Sequence, residues 1–292
     1  MDDKINSINF YNNEKDKENE IISNLKITND MLFSSVLSSD NELLYEFIKM
    51  CTDVDIKTSD IKISTQEHTI SIDINSKSVR LDVYVLTSDS MFDIEMQNKK
   101  QKSLPKRIRY YQALMDLDFL KCGIKNKYDD LQNLYIIFVC NFNPCDALKD
   151  APIITVDSFY HDYYNNSNYV NYNDDVKKIF INIDCDVDKI SDNTLKSFIE
   201  FMKDGYCSKT KSKLVDKMKY YMDLLKRNPK WRSDFMLHYD KIQEIRDEDI
   251  YKCVLLLVKT GADDSYIIEN VSNMYDIASD DVVYFLNKIR KS

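Results

Sequence analysis

Apolar side chains recur along the chain at helical spacing first, at strand spacing next, and at helical spacing again. Met31, Leu32, Val36 and Leu37 mark a helix that begins near Asp30, with Thr28 or Asn29 as its cap. Leu43, Leu44, Phe47 and Ile48 mark a second, over Glu42–Cys51. The period then drops to two over Thr69–Ile74, Val79–Leu86 and Met91–Gln97, which predicts a β-meander. Ser103 and Pro105 open a helix that runs through Ile108, Tyr111, Met115 and Phe119 to Gly123. Asn133–Asn141 is a near-continuous apolar run, the pattern of a strand buried on both faces. A weaker strand at Ile153–Phe159, a polar loop near Asn165–Asp175 and a short strand at Ile179–Ile183 follow. From about Thr194 the spacing is helical again. Leu214, Val215, Met218, Tyr221, Met222 and Leu225 form one stripe, and further helices are expected at Asp247–Lys259, Ser265–Met274 and Asp280–Lys291. The pattern predicts a flexible polar arm over 1–25, an α/β domain over 26–190 and a helical region over 191–292.

Composition narrows the classes. With 292 residues, 43% of them hydrophobic, the chain can bury one large core or two small ones. The formal charge of -9 means that an anionic partner must be met by a local basic patch. The longest apolar runs are too short for a membrane span, and the first twenty residues hold no apolar leader core. Seven scattered cysteines without a CxxC pair read as reduced thiols in a cytoplasm. Three glycines cannot write a Walker loop or a dinucleotide fingerprint.

Candidate chemistry sits in the hairpin around residues 80–97. If Thr87–Ser90 form its loop, Leu86 faces Met91 and Asp82 lies opposite Glu95. Opposed side chains have Cβ atoms about 5 Å apart and share a face, which Gln97 joins two residues on. Phe92, Ile94 and Met96 turn to the other face, into the core. Two opposed carboxylates repel, and a divalent cation held by hard oxygens removes the conflict. Such an ion lowers the pKa of a bound water and neutralises phosphate charge, and Gln97 would orient that water. The plainer reading is a solvated acidic face, with Arg80 neutralising Asp82 or Asp93. The segment Lys99–Arg109 (KKQKSLPKRIR) carries six basic residues and no acid, so Lys99, Lys102, Lys106 and Arg107 are candidate phosphate contacts. Lys106, Arg109 and Tyr110 share a helix face at spacing i, i+3, i+4.

Taken in order, TNDMLF, RLDV, IEMQ, LPKRIRYYQALMD and YIIFVCNF resemble the Rpn family of recombination-promoting, transposase-like nucleases in the PD-(D/E)XK superfamily, over roughly residues 27–260. The resemblance implies a restriction-endonuclease-like core, a mixed sheet flanked by helices, and Mg2+-dependent DNA cleavage, with Mn2+ or Ca2+ as alternative ions. It makes Asp82 and Glu95 the metal ligands, puts Gln97 in the place of the superfamily's Lys, and matches Arg109 and Tyr110 to an Arg-Tyr pair on the following helix. Two departures stand out. Gln97 removes the usual charged group that positions water, and Phe33 is followed by Ser34 where the early motif has Lys.

Other features have weaker readings. Asp30 and Glu46 are helpers at most, more simply cap or surface charge. The basic stretch Lys209–Arg232 extends a DNA track or is a solvated face, and Trp231 is a packing anchor. The last two helices suggest a helix-turn-helix, but Asp280 and Asp281 would repel phosphates, so helical packing or homodimerisation is the expected use. His68, His161 and His238 have no nucleophile beside them, and Tyr163, Tyr164, Tyr169 and Tyr172 lie in the polar loop. The expected function is a metal-dependent DNA endonuclease that uses Asp82, Glu95 and Gln97, associated with recombination or mobile elements. The rival is a catalytically inactive nuclease-fold protein that binds DNA or assists assembly.

Overall fold

A computed structural model describes residues 15–52, 54–65, 69–70, 79–121, 127–162, 164, 169–205 and 212–291. Chain contacts divide the protein into two compact units, Met1–Asn228 and Pro229–Ser292.

The first unit opens with helix α1 over 15–23, followed by α2 (Asp30–Leu37) and α3 (Asn41–Thr52). The polar arm expected over 1–25 is therefore helical over 15–23; Ile22 is buried, and residues 1–14 lie outside the described ones. Asn29 caps α2 by accepting from the Leu32 N–H at 3.0 Å. The strands are β1 (Lys62–Thr65), β2 (Thr69–Ile70), β3 (Val79–Arg80), β4 (Val83–Leu86) and β5 (Ser90–Gln97). Then come α4 (Leu104–Lys121), β6 (Asn133–Cys140), β7 (Ile153–Val156), β8 (Phe159–His161), β9 (Tyr169–Asn171) and β10 (Val176–Asn182). Helices α5 (Asn193–Asp204) and α6 (Lys213–Arg227) complete the unit, so the change to all-helical sequence near residue 190 is not its limit.

Six strands form one mixed sheet in the order β1-β4-β5-β6-β10-β7. β5, β6 and β10 run parallel; β1/β4, β4/β5 and β10/β7 are antiparallel. One face is covered by α4, whose Leu104, Ile108, Tyr111, Leu114 and Met115 pack on Leu134, Ile136 and Phe138 of β6. On another side of the core Phe47 of α3 meets Phe33 of α2 and Phe198 of α5 edge-on, with ring centroids 6.2 and 5.6 Å away. β5 is buried at every position, as a strand roofed on both faces must be.

The structure departs from the sequence reading in several places. The strand expected over Val79–Leu86 breaks at Leu81–Asp82, and β3 pairs with β2 in a separate ribbon. Ile153–Phe159 is likewise split, and the expected polar loop contains β9, which pairs with β8. β1 has no counterpart among the sequence expectations, while 71–78, Gly123 and His68 lie outside the described residues. Lys226 of the basic stretch serves structure: its ammonium donates to the carbonyls of Ser23 and Leu25 at the C-terminal end of α1, at 3.2 and 2.7 Å.

The second unit comprises α7 (Pro229–Lys259), α8 (Asp264–Tyr275) and α9 (Ser279–Lys291). Its core gathers Ile250 and Val254 of α7, Ile267 and Val271 of α8, and Val282, Phe285, Leu286 and Ile289 of α9. Trp231 is buried and stacked on Phe235 at 5.3 Å, a packing anchor. Among the described residues no helix is long and apolar enough to cross a membrane.

Candidate active site

The β4–β5 hairpin has the register expected from the sequence, with Leu86 opposite Met91 and Val83 opposite Ile94. The ladder stops at Val83, one residue short of Asp82. There the side chains replace main-chain pairing. Glu95 Oε1 accepts the Asp82 N–H at 3.2 Å, and Asp82 Oδ2 accepts the Met96 N–H at 3.1 Å. This exchange brings the two carboxylates to one place at the end of the hairpin.

Strand alternation adds a third acid. Asp93 precedes Glu95 by two residues and so shares its face. Asp93 is 0% exposed, Glu95 5% and Gln97 6%, while Asp82 is half-buried. The sequence reading treats this face as one open to solvent and uses Asp93 only as a charge to be neutralised. What it lacks is the placing of α4, which roofs the face. Neither oxygen of Asp93 accepts a hydrogen bond from a donor among the described residues. The Glu95 carboxyl beside it can bond to it only when one of the pair carries a proton. Burial pushes the proton affinity of Asp93 well up, and the negative charge of Asp82 adds to the effect. Burial likewise raises Glu95, with Asp93 and then Asp82 as further causes.

A cation from α4 enters this cluster. Arg107 Nη2 donates to Gln97 Oε1 at 2.6 Å and stands 3.7 Å from Glu95 Oε2. Its guanidinium carbon lies 5.4 Å from the Tyr111 ring centroid and 5.3 Å from that of Phe138. Gln97 Nε2 donates to the Lys99 carbonyl at 2.8 Å, so both ends of the amide are engaged. The sequence reading places Arg107 among the phosphate contacts; in the structure its guanidinium reaches Gln97 and the acidic cluster. The signal was available: Leu104, Ile108, Tyr111 and Met115 form the buried stripe of α4, and Arg107 flanks it one turn before Tyr111.

The other predicted contacts stay outside. Lys99, Lys102, Lys106 and Arg109 are exposed, and Tyr110 is half-buried against the α4 core. Lys100 pairs with Asp146 at 2.9 Å. Asp30 is exposed in the first turn of α2, as a charge at a helix start, and Glu46 is half-buried on α3. Asn98, next to Gln97, donates to the Thr28 carbonyl at 2.8 Å and ties the end of β5 to the entry of α2.

Three carboxyl groups therefore gather at this place, and Asp93 has no donor among the described residues. That oxygen-rich set, with the donor-less Asp93 in it, suits a hard divalent cation. Among the described residues no group of three His, Cys, Asp or Glu side chains stands ready-made around a single point, so any ion here would take part of its shell from water and phosphate. No curated protein and no solved structure matches the chain. The model of the PD-(D/E)XK nuclease family transposases matches residues 27–219, which takes in the mixed sheet and every residue of the acidic cluster. A match over that share of the sequence places the chain in the PD-(D/E)XK nuclease family transposases.

Proposed function

We propose that the protein is a metal-dependent DNA endonuclease that hydrolyses phosphodiester bonds in recombination or the movement of mobile elements. The family makes the domain nuclease-type. The observation that carries the finer reading is the mutual hold of Asp82 and Glu95 across the β4 end, beside a buried Asp93 that lacks a donor among the described residues. Asp82 and Glu95 would hold Mg2+, with Mn2+ or Ca2+ as alternatives. The bound ion would supply Lewis acidity toward a phosphate oxygen and a water of lowered pKa. The exposed Lys99, Lys102, Lys106 and Arg109, with Tyr110, would hold the DNA backbone. Nicking of supercoiled plasmid in Mg2+ tests the reading. Wild-type protein should cut, and Asp82→Ala should not. Undiminished cleavage by Asp82→Ala would remove that residue from the mechanism.

A second reading has its own support. Gln97 is hydrogen-bonded at both ends of its amide and carries no charge, which suits a nuclease fold that binds DNA without cutting it. Calorimetric titration with Mg2+, on wild type and Glu95→Ala, separates the two. An endonuclease binds the ion and loses it with Glu95, whereas a binding module takes up none at these side chains.

A further inference from the structure

A positive charge beside the acidic pair is missing from β5, because position 97 is a glutamine. The fold brings one there from α4. Arg107 reaches the tip of Gln97 at 2.6 Å, so its guanidinium begins where that side chain ends. A guanidinium whose task was to neutralise Glu95 would close on it in a forked pair at about 2.8 Å. Here the short bond goes to the neutral amide, and the carboxylate stands 3.7 Å off. The charge is thus held near Glu95 without being locked to it.

Three further features fit that arrangement. The rings of Tyr111 and Phe138 lie beside the guanidinium and limit its orientations. The side chain is 27% exposed, so part of it reaches the surface while the rest is fixed. Its Nε–H is buried and has no acceptor among the described residues, which leaves donor capacity within the site. A guanidinium keeps its proton at every working pH, so it cannot act as a base. It can stabilise negative charge that develops on a phosphate or an attacking oxygen.

We infer that Arg107 supplies the fixed positive charge at the cleavage site and that Gln97 is the positioning residue that aims it. This rests on the endonuclease reading above and deepens it. The division of labour also explains why both ends of Gln97 are engaged. The Lys99 carbonyl holds the amide nitrogen, which turns the amide oxygen toward Arg107.

The test is steady-state plasmid nicking in Mg2+ by wild type, Arg107→Gln and the double variant Arg107→Gln/Gln97→Lys, with thermal melting of each. Loss of a preorganised electrostatic group should lower kcat by about a hundredfold or more and leave KM for DNA nearly unchanged. Moving the charge to position 97 should restore at least about tenfold of that loss, as expected for an electrostatic group returned to the site. Recovery of kcat without recovery of melting temperature supports the inference, because a packing role would move both together. Three results would overturn it: Arg107→Gln within about threefold of wild type, a loss confined to KM, or no gain in kcat when Gln97→Lys is added. If wild type itself does not cut, the endonuclease reading fails. If wild type cuts and Arg107→Gln cuts equally well, only the role of Arg107 fails.

Discussion

Replacing Asp93 with asparagine should stabilise the first unit, and increasingly so as pH rises. Asp93 is wholly buried, and burial followed by the charge of Asp82 raises its proton affinity well above that of an ordinary aspartate, with Arg107 opposing the shift. An unfolded chain releases this proton near pH 4, about the ordinary aspartate value. Below that value both states hold it and stability has no slope. Above it the folded state keeps a proton that the unfolded state has lost, so stability falls as pH rises through the window up to the raised folded pKa. One retained proton is worth about 1.4 kcal/mol per pH unit, or at most about 4 kcal/mol over three units. The asparagine side chain keeps the shape, cannot ionise, and brings an N–H donor beside Glu95. Hydrogen exchange over peptides spanning β4, β5 and β6, in chelator, between about pH 5 and about pH 8, reads the sheet directly. The fluorescence of Trp231, in the second unit, serves as an internal control. The expected result is a wild-type slope that Asp93→Asn flattens. A gap between the two proteins that does not widen with pH, or an Asp93→Asn protein less stable at the upper end, would refute the argument.

Two structural predictions complement the cleavage tests. Phe47→Ala should cost about 3–5 kcal/mol, because it empties a fully buried position between Phe33 and Phe198, and urea unfolding measures it. Asp192 caps α5 by accepting the Leu195 N–H at 2.7 Å, so Asp192→Ala should cost about 1 kcal/mol by the same measurement.

Much of the sheet was legible because strand and helix periods are local. The hairpin register followed from one assumption about loop length, and the apolar run of β6 declared a central strand. The breaks were less legible. The segment Val79–Leu86 reads as one alternating strand, yet Asp82 leaves the ladder so that its carboxylate can take the Met96 N–H; no local period carries that exchange. α1 was hidden by a polar composition in which Ile22 is one of few buried anchors. The placing of Asp82 opposite Glu95, with Gln97 on the same face, follows from register alone. Asp93 and Arg107 depend on α4 lying across β5, a tertiary fact that alternation cannot supply. Arg107 came closest to being readable, since it borders the buried stripe while Lys106 and Arg109 fall on the outer side of the same helix.

The roof over β5 links the fold to the chemistry. In an open antiparallel ribbon, Asp82, Asp93 and Glu95 would be hydrated, and their repulsion would be screened to little effect. Beneath α4 Asp93 and Glu95 lose water and hold their protons more tightly, and the charge of Arg107 opposes that shift. A cation entering there, or a phosphate drawn to Arg107, gains from a low-dielectric setting that a solvated acidic face would not provide. On this argument the break between β3 and β4 at Asp82 and the inward turn of Arg107 are parts of one arrangement, which sets a fixed positive charge beside buried acids where the ladder ends.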